Sequence, residues 1–241
     1  MVRLKNQPKL RTNLDTDFLK LIAVLSMTVD HVGAVFFPEY PVFRWIGRMA
    51  FPLFCYCMTE GLLYTHDIRR YLARLGVFAL LSQPFWILAF NADDFLGNLL
   101  NFNIFFTLFV SLLAMWGFKK HNWPLFLGCV LLLAFVNFDY SVTGVMLMLI
   151  FYLCRQIPYG WIGEVAGLAF LNCKLLGGMT IPLTLGSWTL EFPEQGLALL
   201  ALIPIWLYNG RQGAHNKAIQ YACYAFYPAH MLILALLRMY L

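Results

Sequence analysis

Residues 17–37 read DFLKLIAVLSMTVDHVGAVFF. The run is long enough for one membrane crossing, which takes ~20 residues of apolar helix. It also carries Lys20, Asp30 and His31 among its hydrocarbon side chains. The rest of the chain repeats the first property: it is 61% hydrophobic and 12% charged over 241 residues, with a mean hydropathy of +0.69. A soluble domain is nearer ~45–50% apolar and ~25% charged. Disorder, a coiled coil and a disulfide-stapled secreted fold are excluded, and the chain reads as an all-α, polytopic transmembrane bundle.

About nine spans are expected, at roughly 17–37, 43–64, 71–90, 103–118, 123–138, 141–154, 160–173, 195–208 and 218–239. Segment 174–194, with Gly177, Gly178, Pro182, Gly186 and Pro193, is open between a re-entrant loop, an interfacial segment and a tenth span. No linker or internal repeat is evident, so a single domain over 1–241 is the simplest organisation. The polar, basic start lacks the form of a cleavable signal, and the first helix is expected to be retained.

Basic residues fall in alternate loops: Arg3, Lys5, Lys9 and Arg11; Arg69, Arg70 and Arg74; Lys119 and Lys120; Arg155; then Arg211 and Lys217. The intervening loops carry Glu39, Asp93, Asp94 and Asp139, with Arg44 and Lys174 as minority cations. The positive-inside rule then puts the N-terminus in the cytoplasm and the C-terminus outside. The same rule accounts for the net charge of +5 without nucleic acid. The six cysteines show no CxxC or zinc spacing and read as small packing residues.

Ionisable groups inside apolar spans cost ~2.5–3.5 kcal/mol each, so they are candidates for function. They are Lys20, Asp30, His31, Arg48, Glu60, Glu164 and His230, most of them in the first two spans. Lys20 and His31 are eleven residues apart, about three helical turns plus 20°, so they share a face ~16 Å apart along the axis. A cation at the inner mouth with an imidazole deeper in suits an anionic ligand reaching toward a base. Equally, Lys20 snorkels and His31 is a hydrogen-bonded core residue. Asp30 points about 100° away from His31. An Asp30–Arg48 pair would neutralise two costly charges, and Pro52, four residues after Arg48, is expected to kink the second span there. Glu60 is expected to pair with Lys20 or with the nearby arginines. Arg69, Arg70 and Arg74 read either as topology determinants or as a seat for donor phosphates. Tyr227 and His230 are i, i+3 neighbours beside Pro228, which frees the carbonyl of Tyr224. No GxSxG, HExxH, Walker or GxGxxG motif is present. With His31 as the plausible base, group transfer from an anionic cytosolic donor is the enzyme class these residues fit best.

The stretches DFLKLIAVLSMTVDHVG, RWIGRMAFPLFCYCMTEGLLYT and YLARLGVFALLSQPF together resemble the TraX family of bacterial membrane proteins. NIFFTL from Asn103, DYSVTGVMLMLIFY from Asp139, LYNG from Leu207 and YAFYPAHMLIL from Tyr224 extend the likeness in order. Asp17, Lys20, Asp30, His31, Gly47, Arg48, Phe51, Pro52 and His230 fall on the family's motifs. The resemblance implies a plasma-membrane acetyltransferase of the kind that acetylates pilin in conjugation systems, with acetyl-CoA as donor and no metal. The Glu60-Gly61 and Pro228 motifs look more like the branch outside conjugative plasmids of enteric bacteria.

The first two spans also look like the acyltransferase-3 family and the lysosomal heparan-acetyltransferase group. There an Arg, not a Lys, is followed by ten residues and then the His, and Lys lacks the bidentate fork. The implied roles are His31 as general base, with Asp30, Arg48 and His230 also in the catalytic set. Lys20, Arg69, Arg70 and Arg74 hold the donor, and Glu60, Tyr227 and Asn103 line the acceptor side. The implied partners are acyl-CoA, a peptide, glycan or lipid acceptor, and membrane lipid. An O-acetyltransferase of a surface glycan or lipid, and a non-enzymatic transporter or assembly factor, are the competing functions.

Overall fold

The computed structural model describes residues 14–155, 157–175, 178–185, 188–211, 213 and 217–240. Arg3, Lys5, Lys9 and Arg11 lie outside the described residues, as do Gly177, Gly186 and the side chains of Lys174 and Lys217. The described chain packs as two units. One draws on Met1–Cys57 and Ile150–Gly213, the other on Met58–Leu149 and Ala214–Leu241.

The first unit begins with α1, Thr16–Phe36. Asp15 caps it, its carboxylate accepting from the backbone N–H groups of Asp17 and Phe18. Pro38 follows closely, and the residue before a proline is pushed out of the helical region. The chain then turns back into α2, Val42–Gly47. The two helices touch where side chains are missing. A Cβ on Gly33 would stand 2.1 Å from the Cβ of Phe43, and one on Gly47 would stand 2.0 Å from Asp30 Oδ1.

Helix α3, Ala50–Tyr64, starts after a two-residue break at Arg48 and Met49. The kink expected from Pro52 is thus a full break between two helices. Pro52 sits in the first turn of α3, where the N–H it lacks would have no helical partner.

Helix α4, Ile68–Phe90, α5, Ile104–Lys119, and α6, Trp123–Phe135, belong to the second unit. Helix α7, Thr143–Cys154, carries the chain back to the first unit. There α8, Gly160–Ala169, runs on as a π-helical stretch, Phe170–Leu175. Next come two antiparallel strands, β1, Thr180–Leu185, and β2, Trp188–Pro193. This hairpin is the departure from an all-α fold, and it occupies the segment for which the sequence left three readings open.

A 3₁₀ helix, Glu194–Ala201, continues into α9, Leu202–Leu207. That course returns to the start of α1: the Asn209 N–H donates to the Leu14 carbonyl at 2.9 Å and the Thr16 N–H to that of Arg211 at 3.3 Å.

In the second unit α4 packs along α10, Lys217–Tyr240, and the two run parallel. Phe78 stacks on Tyr224 at 5.4 Å, and further along Arg238 donates to the Ala89 carbonyl at 2.8 Å. Asn103 is fully buried. It caps α5 through the Phe105 N–H and ties it to α4 by donating to Gln83 Oε1 at 2.8 Å and the Ala79 carbonyl at 3.0 Å.

Helices α1, α4 and the 220–240 stretch of α10 are each long and apolar enough to cross a membrane. The α5, α6 and α7 helices and residues 194–207 are shorter apolar helices. Large apolar side chains lie exposed on these helices, among them Leu80, Leu81, Leu131, Phe135, Ile233 and Leu237. Such rows suit a hydrocarbon solvent, where the outward face of a helix needs no polar cover.

Candidate functional site

A knot of four charged side chains ties three parts of the first unit together. Arg44 of α2 donates from Nη1 to Asp30 Oδ2 of α1 at 2.6 Å. Arg48, at the break before α3, donates from Nε at 2.9 Å and from Nη2 at 2.6 Å, both to Glu194 Oε1. Arg48 and Glu194 are almost wholly buried, their side chains 12% and 4% exposed. The expected Asp30–Arg48 ion pair is therefore corrected. Both arginines lie one turn apart near Asp30, but the nearer end of α2 reaches it, and Arg48 remains only within electrostatic reach. Glu194 displaces Asp30 as the partner of Arg48. Sequence reasoning left it out because it stands at the edge of the ambiguous 174–194 segment. The available signal was an acid directly after Pro193 and directly before an apolar run.

Gly47 makes this knot possible. The Asp30 side chain lies against the Gly47 backbone, in space that any Cβ would fill. Asp30 Oδ1 is buried there. The Asp30 carboxylate is thus spent on joining α1 to α2, with His31 next to it on α1, half-buried.

Lys20 lies at the other end of α1. It donates to Asp17 Oδ1 at 2.9 Å, one turn earlier, with the lysine side chain 36% exposed. Its ammonium is therefore answered by Asp17, where Glu60 was one expected partner. Because α1 is unbroken from Thr16 to Phe36, the eleven-residue spacing keeps Lys20 and His31 on one face. Glu164, in α8, is buried and accepts from Trp206 Nε1 at 2.9 Å.

The remaining candidates belong to the second unit and are described within it. The Arg74 guanidinium stands 5.8 Å from the Tyr71 ring centre and 5.9 Å from that of Tyr224. Arg70 pairs with Asp67, the cap of α4, on an exposed surface, and Arg69 is exposed beside it. Glu60 is buried in α3. Tyr227 is buried edge-on to Phe105 at 4.7 Å and lies 5.3 Å from the ring of His230. His230 is buried, its Nδ1 2.9 Å from the Phe226 carbonyl one turn back. Asn103 spends its amide on the α4–α5 bracket described above.

Residues 15–238 match the family described as TraX protein. The chain belongs to the TraX family. The match spans both units and includes Asp17, Lys20, Asp30, His31, Arg48, Glu194 and His230. This TraX-family chain is 31% identical to the probable fimbrial assembly protein FimC, serogroup H1, of Dichelobacter nodosus, over 92% of this chain and 95% of that protein. It is also 50% identical over 40 residues to an uncharacterized protein of Rickettsia prowazekii, which covers 17% of this chain and 16% of that one. No solved structure matches it at the same stringency.

Proposed function

We propose that this TraX-family chain is a membrane-embedded acetyltransferase, moving an acetyl group from cytosolic acetyl-CoA to an amine such as a pilin-like N-terminus or another peptide. The observation that carries this reading is the single face of α1 bearing Lys20 near one end and His31 three turns on, along an unbroken helix. In this scheme Lys20 is the donor's phosphate contact within the first unit, and Arg69, Arg70 and Arg74 are separate candidates within the second. The Lys20–Asp17 pair lies partly exposed, so a phosphate can compete for the ammonium. The thioester reaches along α1 toward His31. The acceptor nitrogen attacks the thioester carbonyl, its proton passes to His31, and the C–S bond breaks to release CoA thiolate. Asp30 and Arg48 serve as positioning residues: their pairs with Arg44 and Glu194 fix the helix that bears His31.

The relative named as a fimbrial assembly protein supports a link to pili. The alternation of basic loops supports a bacterial plasma-membrane protein of nine crossings with a cytoplasmic N-terminus. The parallel course of α4 and α10 agrees with that count, since the third and ninth crossings run the same way.

The test is acetyl-CoA binding and hydrolysis by the purified protein in detergent, comparing wild type with Lys20→Ala and His31→Ala. The proposal expects donor to raise the thermal midpoint of wild type, Lys20→Ala to weaken that rise, and His31→Ala to bind donor without hydrolysing it. Well-folded protein that ignores acetyl-CoA would overturn the scheme. The similarity to a fimbrial assembly protein also favours a second reading, an assembly factor without chemistry. It expects His31→Ala to retain full function in cells.

A further inference from the structure

The β1–β2 hairpin alternates its residues between two faces. Residues directly opposite in an antiparallel ladder share a face, and successive residues alternate. The register sets Ile181 opposite Phe192, Leu183 opposite Leu190 and Leu185 opposite Trp188. The other register positions pair Thr180 with Pro193, Pro182 with Glu191 and Thr184 with Thr189. On this second face Thr180 donates to Glu191 Oε2 at 3.4 Å. The apolar face is not tucked away: Trp188 is 82% and Leu190 65% exposed, and Met179, just before β1, is 73% exposed.

Three observations choose what covers that face. First, both ends of the hairpin are tied to helices: the π-helical end of α8 before it, and the apolar Glu194–Leu207 helix after it. Second, each strand has six residues, about 20 Å at ~3.4 Å per residue, against ~30 Å of hydrocarbon. Third, two strands leave two open edges, whose N–H and C=O groups cannot be satisfied inside lipid. The hairpin therefore cannot cross, and it cannot leave the membrane that holds both its ends. A tryptophan at the turn end of β2, with hydroxyls and a carboxylate on the opposite face, matches the chemistry of the boundary between headgroups and acyl chains.

We propose that the hairpin is an interfacial anchor, its exposed Trp188 and Leu190 lying on the acyl chains, its Phe192 packed on Gly196, and its Thr184, Thr189 and Glu191 face in water and headgroups. The occupant of the apolar face is phospholipid. This resolves the 174–194 segment in favour of an interfacial position. It also gives the hairpin a mechanical role, because β2 runs directly into Glu194, the residue that holds Arg48. The proposal is independent of acetyl transfer.

The test incorporates p-benzoylphenylalanine at position 190 or at position 191 of the full chain. Each protein is irradiated in vesicles of phosphatidylethanolamine and phosphatidylglycerol, and its intact mass is then measured. The expected result is a phospholipid adduct at 190 that exceeds that at 191 roughly tenfold, since a shift of one residue changes the face. Equal adducts at both positions, or at 190 a cross-linked second copy in place of lipid, would overturn it. Should either substitution impair folding, Trp188→Phe gives a second reading. Lipids brominated near the headgroup end of their chains should quench wild-type fluorescence more than that of the variant. Equal quenching also overturns the proposal.

Discussion

The two ends of α1 are each held by charge, in opposite ways. At the Asp30 end the partners come from elsewhere in the chain. Arg44 is fourteen residues away from Asp30, and Arg48 and Glu194 are separated by 146. The Arg48–Glu194 pair is almost wholly buried. At the Lys20 end the partner, Asp17, is one helical turn away and partly exposed. A local, half-solvated pair forms whenever the helix forms, and it gives up little when a competing anion arrives. A buried pair across 146 residues exists only when the unit is folded, and losing either member leaves the other's buried charge without its direct ion-pair partner. The first end holds geometry, and the second can release its partner at little cost.

The largest predicted effect follows from stranding a charge. Replacing Glu194 by Gln leaves the Arg48 guanidinium buried against a neutral amide, and breaking a buried pair from one side costs ~3–5 kcal/mol. Arg48→Met should cost as much, while the double variant Arg48→Met/Glu194→Met should recover most of the loss. Denaturant unfolding in mild detergent measures all three. Equal losses in the single and double variants would mean that the pair is not the source of the cost.

The next effect tests the same end by volume instead of charge. Gly47→Ala places a methyl 2.0 Å from Asp30 Oδ1 and 2.3 Å from its Cβ, and overpacking of this kind costs ~1–3 kcal/mol. The 2.3 Å contact is to the Asp30 Cβ, which alanine keeps, so Asp30→Gly should relieve the clash. The double variant should lose less than the sum of the two singles, the signature of directly touching residues.

A smaller effect belongs to the cap that starts α1. Asp15→Ala removes the carboxylate that accepts from the Asp17 and Phe18 N–H groups. Loss of an N-cap typically costs ~1 kcal/mol. Hydrogen exchange at the first turn of α1 should rise, with exchange around Asp30 unchanged. Faster exchange at both ends would show that they are not independent.

Much of this architecture was legible from periodicity and charge. The bounds of α1, α4, α5 and α10 lie within a few residues of the expected spans, because long apolar runs between charged loops have one helical solution. The break at Arg48 was legible as a kink, since Pro52 announces itself, but not as two helices. The start of α2 packs Phe43 on Gly33, which is a tertiary fact.

The hairpin carried its own signal. Alternation in 180–185 and 188–193 around Gly186-Ser187 is a two-residue hairpin pattern. Pro182 and Pro193 obscured it, and the surrounding helices argued for another span. Within the candidate site, the Lys20 and His31 spacing was readable because one helix fixes both residues. The pairing of Glu194 with Arg48 was not, since a contact across 146 residues leaves no local trace. Asn103 entered the acceptor side through the family resemblance, and its α4–α5 hydrogen bonds are invisible until the helices pack.

The last prediction returns to the exchangeable end. Lys20→Ala removes a partly exposed pair, and such pairs contribute ~0–1 kcal/mol, so unfolding of the free protein should hardly change. What should change is the response to donor. Acetyl-CoA should shift the melting of wild type more than that of Lys20→Ala, and added salt should shrink the difference by screening the ammonium–phosphate attraction. Asp17→Asn separates this from a merely structural lysine. Removing the competing carboxylate frees the ammonium, so the variant should respond to lower acetyl-CoA concentrations than wild type does. A lysine that only braced the helix would gain nothing from losing its partner, and Asp17→Asn would then match Lys20→Ala. The direction of the Asp17→Asn shift therefore decides whether this end of α1 exchanges partners or merely holds one.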